Sequence, residues 1–189
     1  MTAESGDTPV RVALVSGSTR SGSTNTATLR TVATLEVPGV VATLWDRLVE
    51  LPAFVPGDDA APHPAVDDLR STLAAADAVV FSTPEYAGTL PGSIKNALDW
   101  LVGSGELYGK PVAWITVGAP GRGEGAERTL ALVLGYVGAE VVEAACARIP
   151  VGRDLIDADG TVHDPDVRSG LGARLAALAE HVRAAVAEA

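Results

Sequence analysis

The chain has 189 residues, 47% apolar and only 4% aromatic, with 14 Lys and Arg against 24 Asp and Glu for a net charge of −10. That length predicts one domain able to bury roughly 70% of its unfolded surface, and the composition excludes a disordered chain. The acidic balance argues against a nucleic-acid partner, no run approaches the ~18 apolar residues of a membrane span, and a single cysteine, Cys146, excludes an internal disulfide or a cysteine-cluster metal site.

The amino terminus, MTAESGDTPV, has neither the basic cluster nor the apolar stretch of a secretory leader, so a cytoplasmic protein is expected. Residues 1–9 read as a flexible tail and residues 10–189 as a single domain. Val10 to Ser16 reads as a buried strand, followed by a loop of Gly, Ser and Thr and a helix with Leu29, Val32 and Ala33 on one face. Pro38-Gly39 breaks that helix ahead of a second strand, Val40 to Leu44. A long surface connection rich in Pro and Asp, LPAFVPGDDAAPHP, follows; a loop of that length is either functional or a wrap around the sheet edge.

Val66, Leu69, Leu73 and Ala76 mark the next helix, and Ala78 to Ser82 a short strand. Ile94, Leu98 and Leu101 carry a third helix, and Val112 to Val117 forms a fourth strand. A Gly-rich loop leads into a helix from Ala126 bearing Leu130, Val133 and Val137. Glu140 to Ile149 favours a bent strand. Leu171, Leu175, Leu178, Val182 and Val186 step by 4, 3, 4 and 4, the spacing of an amphipathic helix.

Apolar strands alternating with helices predict an α/β fold: a flavodoxin-like three-layer sandwich whose five-stranded parallel sheet runs in the order 2-1-3-4-5, with helices on both faces. In that order a ligand lies beyond the carboxyl ends of the strands, where the first and third meet. The loops after strands one, three and four should therefore build the site.

The first loop, Gly17-Ser18-Thr19-Arg20-Ser21-Gly22-Ser23-Thr24-Asn25, leaves a strand and opens a helix, where free N–H groups and the positive dipole end favour an anion. Ser18, Ser23, Thr24 and Asn25 add side-chain donors, and Arg20 adds fixed charge. Gly17 and Gly22 have the spacing of a triphosphate-binding loop, but Ser23 stands where that loop needs lysine, and no strand ends in a Mg²⁺-binding Asp. The set suits a terminal phosphate monoester bound without metal; a plain helix cap is the other reading.

In the second loop, Thr83-Pro84-Glu85-Tyr86-Ala87-Gly88-Thr89-Leu90-Pro91-Gly92, Pro84 and Gly88 stiffen a backbone that can face a planar heterocycle. Tyr86 can stack there or pack at a subunit contact. Glu85 reads as a loop residue rather than an acid catalyst. The third loop, Gly118-Ala119-Pro120-Gly121-Arg122-Gly123-Glu124-Gly125, allows close backbone approach, and its Arg122 is either a nicotinamide-cofactor anchor or a solvated surface arginine. His63, His163 and His181 read as solvated and non-functional, no pair of them has metal-ligand spacing, and Cys146 reads as an inert packed thiol.

Together the loops resemble the NAD(P)H-dependent FMN reductase family, which includes bacterial quinone, chromate and azo-dye reductases. Its motif G-S-x-R-x-x-S-x-N is met by Gly17, Ser18, Arg20, Ser23 and Asn25. T-P-E-Y-N followed by P-G-x-x-K-N-A-x-D-W is met from Thr83 to Trp100, with Ala87 in place of the asparagine. The resemblance spans roughly Val10 to Val137.

It implies that Ser18, Arg20, Ser23, Thr24 and Asn25 hold the FMN phosphate. It also implies that Pro84, Glu85, Tyr86 and Ala87 line the isoalloxazine through their backbone, and that Gly118, Ala119 and Gly121 close its other side. Lys95, Asn96, Asp99 and Trp100 would serve helix packing and subunit contacts. The implied activity passes hydride from NADPH or NADH through bound FMN to a small-molecule acceptor such as a flavin or quinone, in a homodimer or homotetramer, with no side-chain acid or base and no metal. A flavodoxin-type electron carrier and a non-catalytic nucleotide-binding regulator remain open, since this architecture hosts many activities.

Overall fold

A computed structural model describes residues 8–57 and 63–188. The expected tail therefore falls mostly outside the described residues, as does the middle of the Pro- and Asp-rich connection. The chain runs β1 (Val10–Ser16), α1 (Thr24–Ala33), β2 (Val40–Trp45), α2 (Pro64–Ala75), β3 (Ala78–Ser82), α3 (Gly92–Asp99), β4 (Pro111–Thr116), α4 (Glu124–Tyr136), β5 (Glu140–Val141), β6 (Ala147–Arg148) and α5 (Pro165–Glu188). Single 3₁₀ turns occupy Leu48–Glu50, Glu143–Ala145 and Arg153–Leu155.

The strands pair in parallel in the order β2-β1-β3-β4-β5, with β6 also on β4. This is the expected flavodoxin-like order. Side chains alternate across β1: Val10, Val12 and Leu14 pack with Leu29 of α1 and Leu171, Leu175 and Leu178 of α5. Ala13 and Val15 face the other way, onto Leu69 and Leu73 of α2, Ile94 and Leu98 of α3, and Leu130 and Leu134 of α4. Both helix layers thus bury apolar stripes on one sheet.

Three details depart from the sequence pattern. The fifth strand is broken: Val112 and Ile115 lie three apart on β4 while their partners Val141 and Ala147 lie six apart, so the edge extrudes a 3₁₀ turn. On α1, Ala33 faces solvent and Thr31 takes the inward place, donating to Ala27 O at 2.8 Å while its hydroxyl accepts from Val162 N at 2.7 Å. Val186, at the end of the α5 stripe, is 74% exposed because the helix outruns the sheet.

Candidate functional site

Register places the first two loops side by side. Ser16 is paired with Ser82 at the carboxyl ends of β1 and β3, and Gly17 N donates to Ser82 O at 2.8 Å. Gly17 lies so close to the Thr83 side chain that a Cβ there would overlap it, which is why the chain needs glycine at this crossing.

The loop after β1 folds on its own hydroxyls. Ser18 N donates to Ser16 Oγ at 3.4 Å, Arg20 N donates to Ser18 Oγ at 3.3 Å, and the Ser16 and Thr26 hydroxyls lie 2.7 Å apart. Ser23 is the N-cap residue of α1 and is buried, yet its hydroxyl does not close back on the first turn. A helix leaves its first N–H groups without intrahelical partners, and a serine at this position ordinarily satisfies one of them. Here they stay open, and the first turn of α1 carries no acidic residue. That is the electrostatic profile of an anion site.

The amino terminus of α4 is arranged oppositely. Glu85 Oε2 accepts from Gly125 N at 2.7 Å and from Ala126 N at 3.2 Å, and Glu124 and Glu127 sit in the same first turn. A carboxylate from the loop after β3 thus already fills this helix end. The loop around Glu85 closes as a tight hairpin: Tyr86 N donates to Thr89 O at 3.0 Å, Thr89 N donates to Tyr86 O at 3.1 Å, and Ala87 and Gly88 have φ of 51° and 77°. Two central residues with positive φ make the turn that favours Asn-Gly. Among positions 84–87, proline has no N–H and that of Tyr86 is spent in the hairpin, so Glu85 and Ala87 are left to offer one.

The loop after β4 turns at Ala119, whose carbonyl accepts from Arg122 N at 3.0 Å. Arg148 of β6 holds it from behind, donating to Arg122 O and pairing with Glu127 at 2.7 Å. Sequence reasoning missed Arg148; a lone arginine within the apolar edge segment was the available signal.

Two hollows flank the first loop. One, of about 380 Å³, is lined by Thr24, Asn25, Pro84, Glu85, Gly118 and Ala119 together with Arg122 and Thr116. The other, of about 430 Å³, is lined by Ser18, Arg20 and Ser23 with Arg30 and Asp46, whose charged ends are 3.6 Å apart. Tyr86, Ala87 and Gly121 line neither. Tyr86 is 52% exposed, and Gly121 shapes its loop at φ 78°.

The second motif serves the packing role expected of it. Asn96 Nδ2 and Trp100 Nε1 both donate to Pro52 O, at 2.9 and 3.0 Å, while Asn96 Oδ1 accepts from Phe54 N at 2.8 Å. Trp100 is 1% exposed and meets Phe54 edge-on at 5.1 Å. These two residues clamp the connection after β2 within the chain, so Trp100 is not a subunit contact; Lys95 pairs with Asp99 on the surface. The histidines also have partners: His63 tilts against Trp100, His163 lies 3.1 Å from Asp157, and His181 lies 2.9 Å from Glu140. Burial raises the Cys146 thiol above its usual 9.0. No group of three or more potential metal ligands occurs among the described residues, and none of their helices is long and apolar enough to cross a membrane.

The model of the NADPH-dependent FMN reductase family matches residues 10–152, from β1 through all three loops. The chain belongs to the NADPH-dependent FMN reductase family. It is 33% identical over 178 residues to an NAD(P)H-dependent FMN reductase of Pseudomonas aeruginosa, covering 92% of this chain and 96% of the relative. A quinone reductase of Pseudomonas putida is 33% identical over 161 residues, covering 81% and 84%. Among solved structures, a flavoenzyme NAD(P)H:(acceptor) oxidoreductase of Paracoccus denitrificans superposes with a TM-score of 0.71 at 28% identity, over 93% of this chain and 98% of the other. As a member of the FMN reductase family, the chain is an FMN-dependent NAD(P)H oxidoreductase, with FMN as cofactor and a small molecule as acceptor. The open, acid-free amino terminus of α1 fits a phosphate-bearing cofactor on structural grounds.

Proposed function

We propose that the FMN phosphate is held at the amino terminus of α1, by the hydroxyls of Ser18 and Ser23, the Arg20 guanidinium, and main-chain N–H groups of Thr24 and Asn25. The ring lies in the adjoining crevice against Pro84 and Glu85 on one side and Gly118 and Ala119 on the other, with Tyr86, Ala87 and Gly121 on the loops just outside its walls. The single observation that carries this reading is the contrast between two helix ends: α1 is left open by Ser23, while Glu85 occupies α4. A phosphate dianion is attracted to the first and repelled by the second.

FMN held by these residues would supply the redox chemistry, hydride exchange with the nicotinamide and reduction of the acceptor. The chain's own work is to bind, orient and leave one ring face open to NADPH or NADH and then to a planar acceptor, a quinone or free flavin. Residues 10–189 act as one domain. Use of NAD(P)H, an intracellular reductant, supports a cytoplasmic enzyme. Tyr108, Leu132 and Tyr136 are 80%, 69% and 90% exposed, apolar surface suited to a homodimer or homotetramer contact.

Steady oxidation of NADPH by the FMN-loaded protein with a water-soluble quinone tests the assignment. Sustained turnover well beyond one equivalent is expected. A single reduction without turnover would make the chain an electron carrier instead.

A further inference from the structure

Ser82, the last residue of β3, is 1% exposed and touches two oxygen-type acceptors. Its Oγ lies 2.7 Å from Ile115 O of β4 and 3.0 Å from the side-chain oxygen Oδ1 of Asn25 on α1, so one hydroxyl faces two acceptors. A serine hydroxyl has one proton to give. A carbonyl oxygen can only accept, and two oxygens at 2.7 Å repel unless a proton lies between them, so that proton belongs to Ile115 O. Asn25 must then be the donor in its own contact with Ser82. A half-turn of the amide, which exchanges nitrogen and oxygen without changing its shape, would satisfy both contacts by bringing Nδ2 to Ser82.

The consequence appears on the other side of the amide. Asn25 is 5% exposed and lines the crevice of about 380 Å³ between the first and third loops. With its nitrogen turned to Ser82, Oδ1 would take the opposite end of an amide whose residue lines that crevice. An amide oxygen repels a phosphate dianion and accepts from a hydroxyl.

We propose that Ser82 is a positioning residue that locks Asn25 with its amide oxygen toward the ligand, so that the Asn25 side chain reads a hydroxyl of the polyol chain joining ring to phosphate. This rests on the FMN placement above and refines it: the main-chain N–H of Asn25 serves the phosphate while its side chain serves the polyol. It sets a specificity the phosphate contacts cannot give, preference for a flavin carrying its ribityl hydroxyls over the bare ring system.

The test compares dissociation constants of FMN, riboflavin and lumiflavin, which share the ring and differ in phosphate and polyol. Asn25→Ala is expected to weaken FMN and riboflavin by the same factor, about three- to tenfold for one neutral hydrogen bond, and to leave lumiflavin unchanged. Ser82→Ala should weaken the same two ligands and add nothing in the Asn25→Ala background. Loss confined to FMN would show that the side chain binds phosphate, and no loss would show that it binds nothing; either overturns the proposal. A flavin-free readout accompanies it: the Asn25 side-chain amide protons in the wild-type chain should exchange slowly with solvent by NMR, and fast exchange of both would overturn the Ser82 contact. Failure of the wild-type protein to bind any of the three flavins would instead sink the cofactor placement, leaving the exchange result to decide the amide's orientation.

Discussion

Glu85 Oε2 sits 2.7 Å from the amide nitrogen of Gly125, joining the loop after β3 to the first turn of α4. A Cβ on Gly125 would collide with Gly88 O, so this glycine lets hairpin and helix close on each other. The contact fixes the second loop and fills one helix end with negative charge, while the amino terminus of α1 stays open.

Removing that carboxylate should loosen the helix end it caps. Glu85→Ala is expected to lower stability by about 1–2 kcal/mol, the worth of a lost helix cap, read as a lower urea midpoint with unchanged slope. An unchanged midpoint would show that the carboxylate does not cap α4.

Ala87 occupies a left-handed conformation at φ 51°, followed by Gly88 at 77°. A side chain without a local hydrogen bond costs roughly 1 kcal/mol there. Ala87→Asn and Ala87→Gly should each raise the thermal midpoint by a few degrees, with the Asn-Gly pair matching what the turn prefers. The family's usual asparagine thus has a backbone reason at this position. A lowered midpoint for both variants would contradict it.

Arg20 is exposed at the rim of the hollow beside α1. Arg20→Ala should weaken FMN about tenfold, as expected for a lost charge-assisted hydrogen bond, and leave riboflavin unchanged. Arg122 lines the crevice proposed for the ring. Arg122→Ala should raise the Michaelis constant for the nicotinamide cofactor without changing FMN affinity, and unchanged constants for both NADPH and NADH would return Arg122 to an ordinary surface arginine.

Cys146 has a thiol raised above its usual 9.0 chiefly by desolvation. Disulfide reagents should label it more slowly at pH 8 in the native protein than in urea. The linkage follows the same sign: the unfolded thiol ionises first, so this group's contribution to stability is intact below pH 9.0 and falls as pH rises past it. Equal labelling rates in both states would contradict this.

Much of the fold was legible because buried parallel strands read as apolar runs. Val10–Ser16 and Ala78–Ser82 emerge with their observed bounds, and the crossover helices follow from their stripes. The break in the fifth strand was not legible: Val141, Val142 and Ile149 look the same whether the edge is straight or extruded, and only pairing with β4 decides. At the site, the loops and their glycines were visible locally. The bond from Glu85 to Gly125 spans forty residues, and that from Ser82 to Asn25 spans 57. Such contacts belong to the folded arrangement of strands rather than to any local pattern, which is why Ser82, Arg148 and the cap on α4 came only from structure.

The most direct measurement is the absorption spectrum of the protein after incubation with FMN and gel filtration, taken before and after anaerobic addition of NADPH. The expected result is a yellow chromophore that co-elutes with the protein at about one equivalent per chain and bleaches on reduction. A colourless protein peak, with all FMN recovered in the small-molecule fraction, would contradict a cofactor seated between α1 and the loops after β3 and β4.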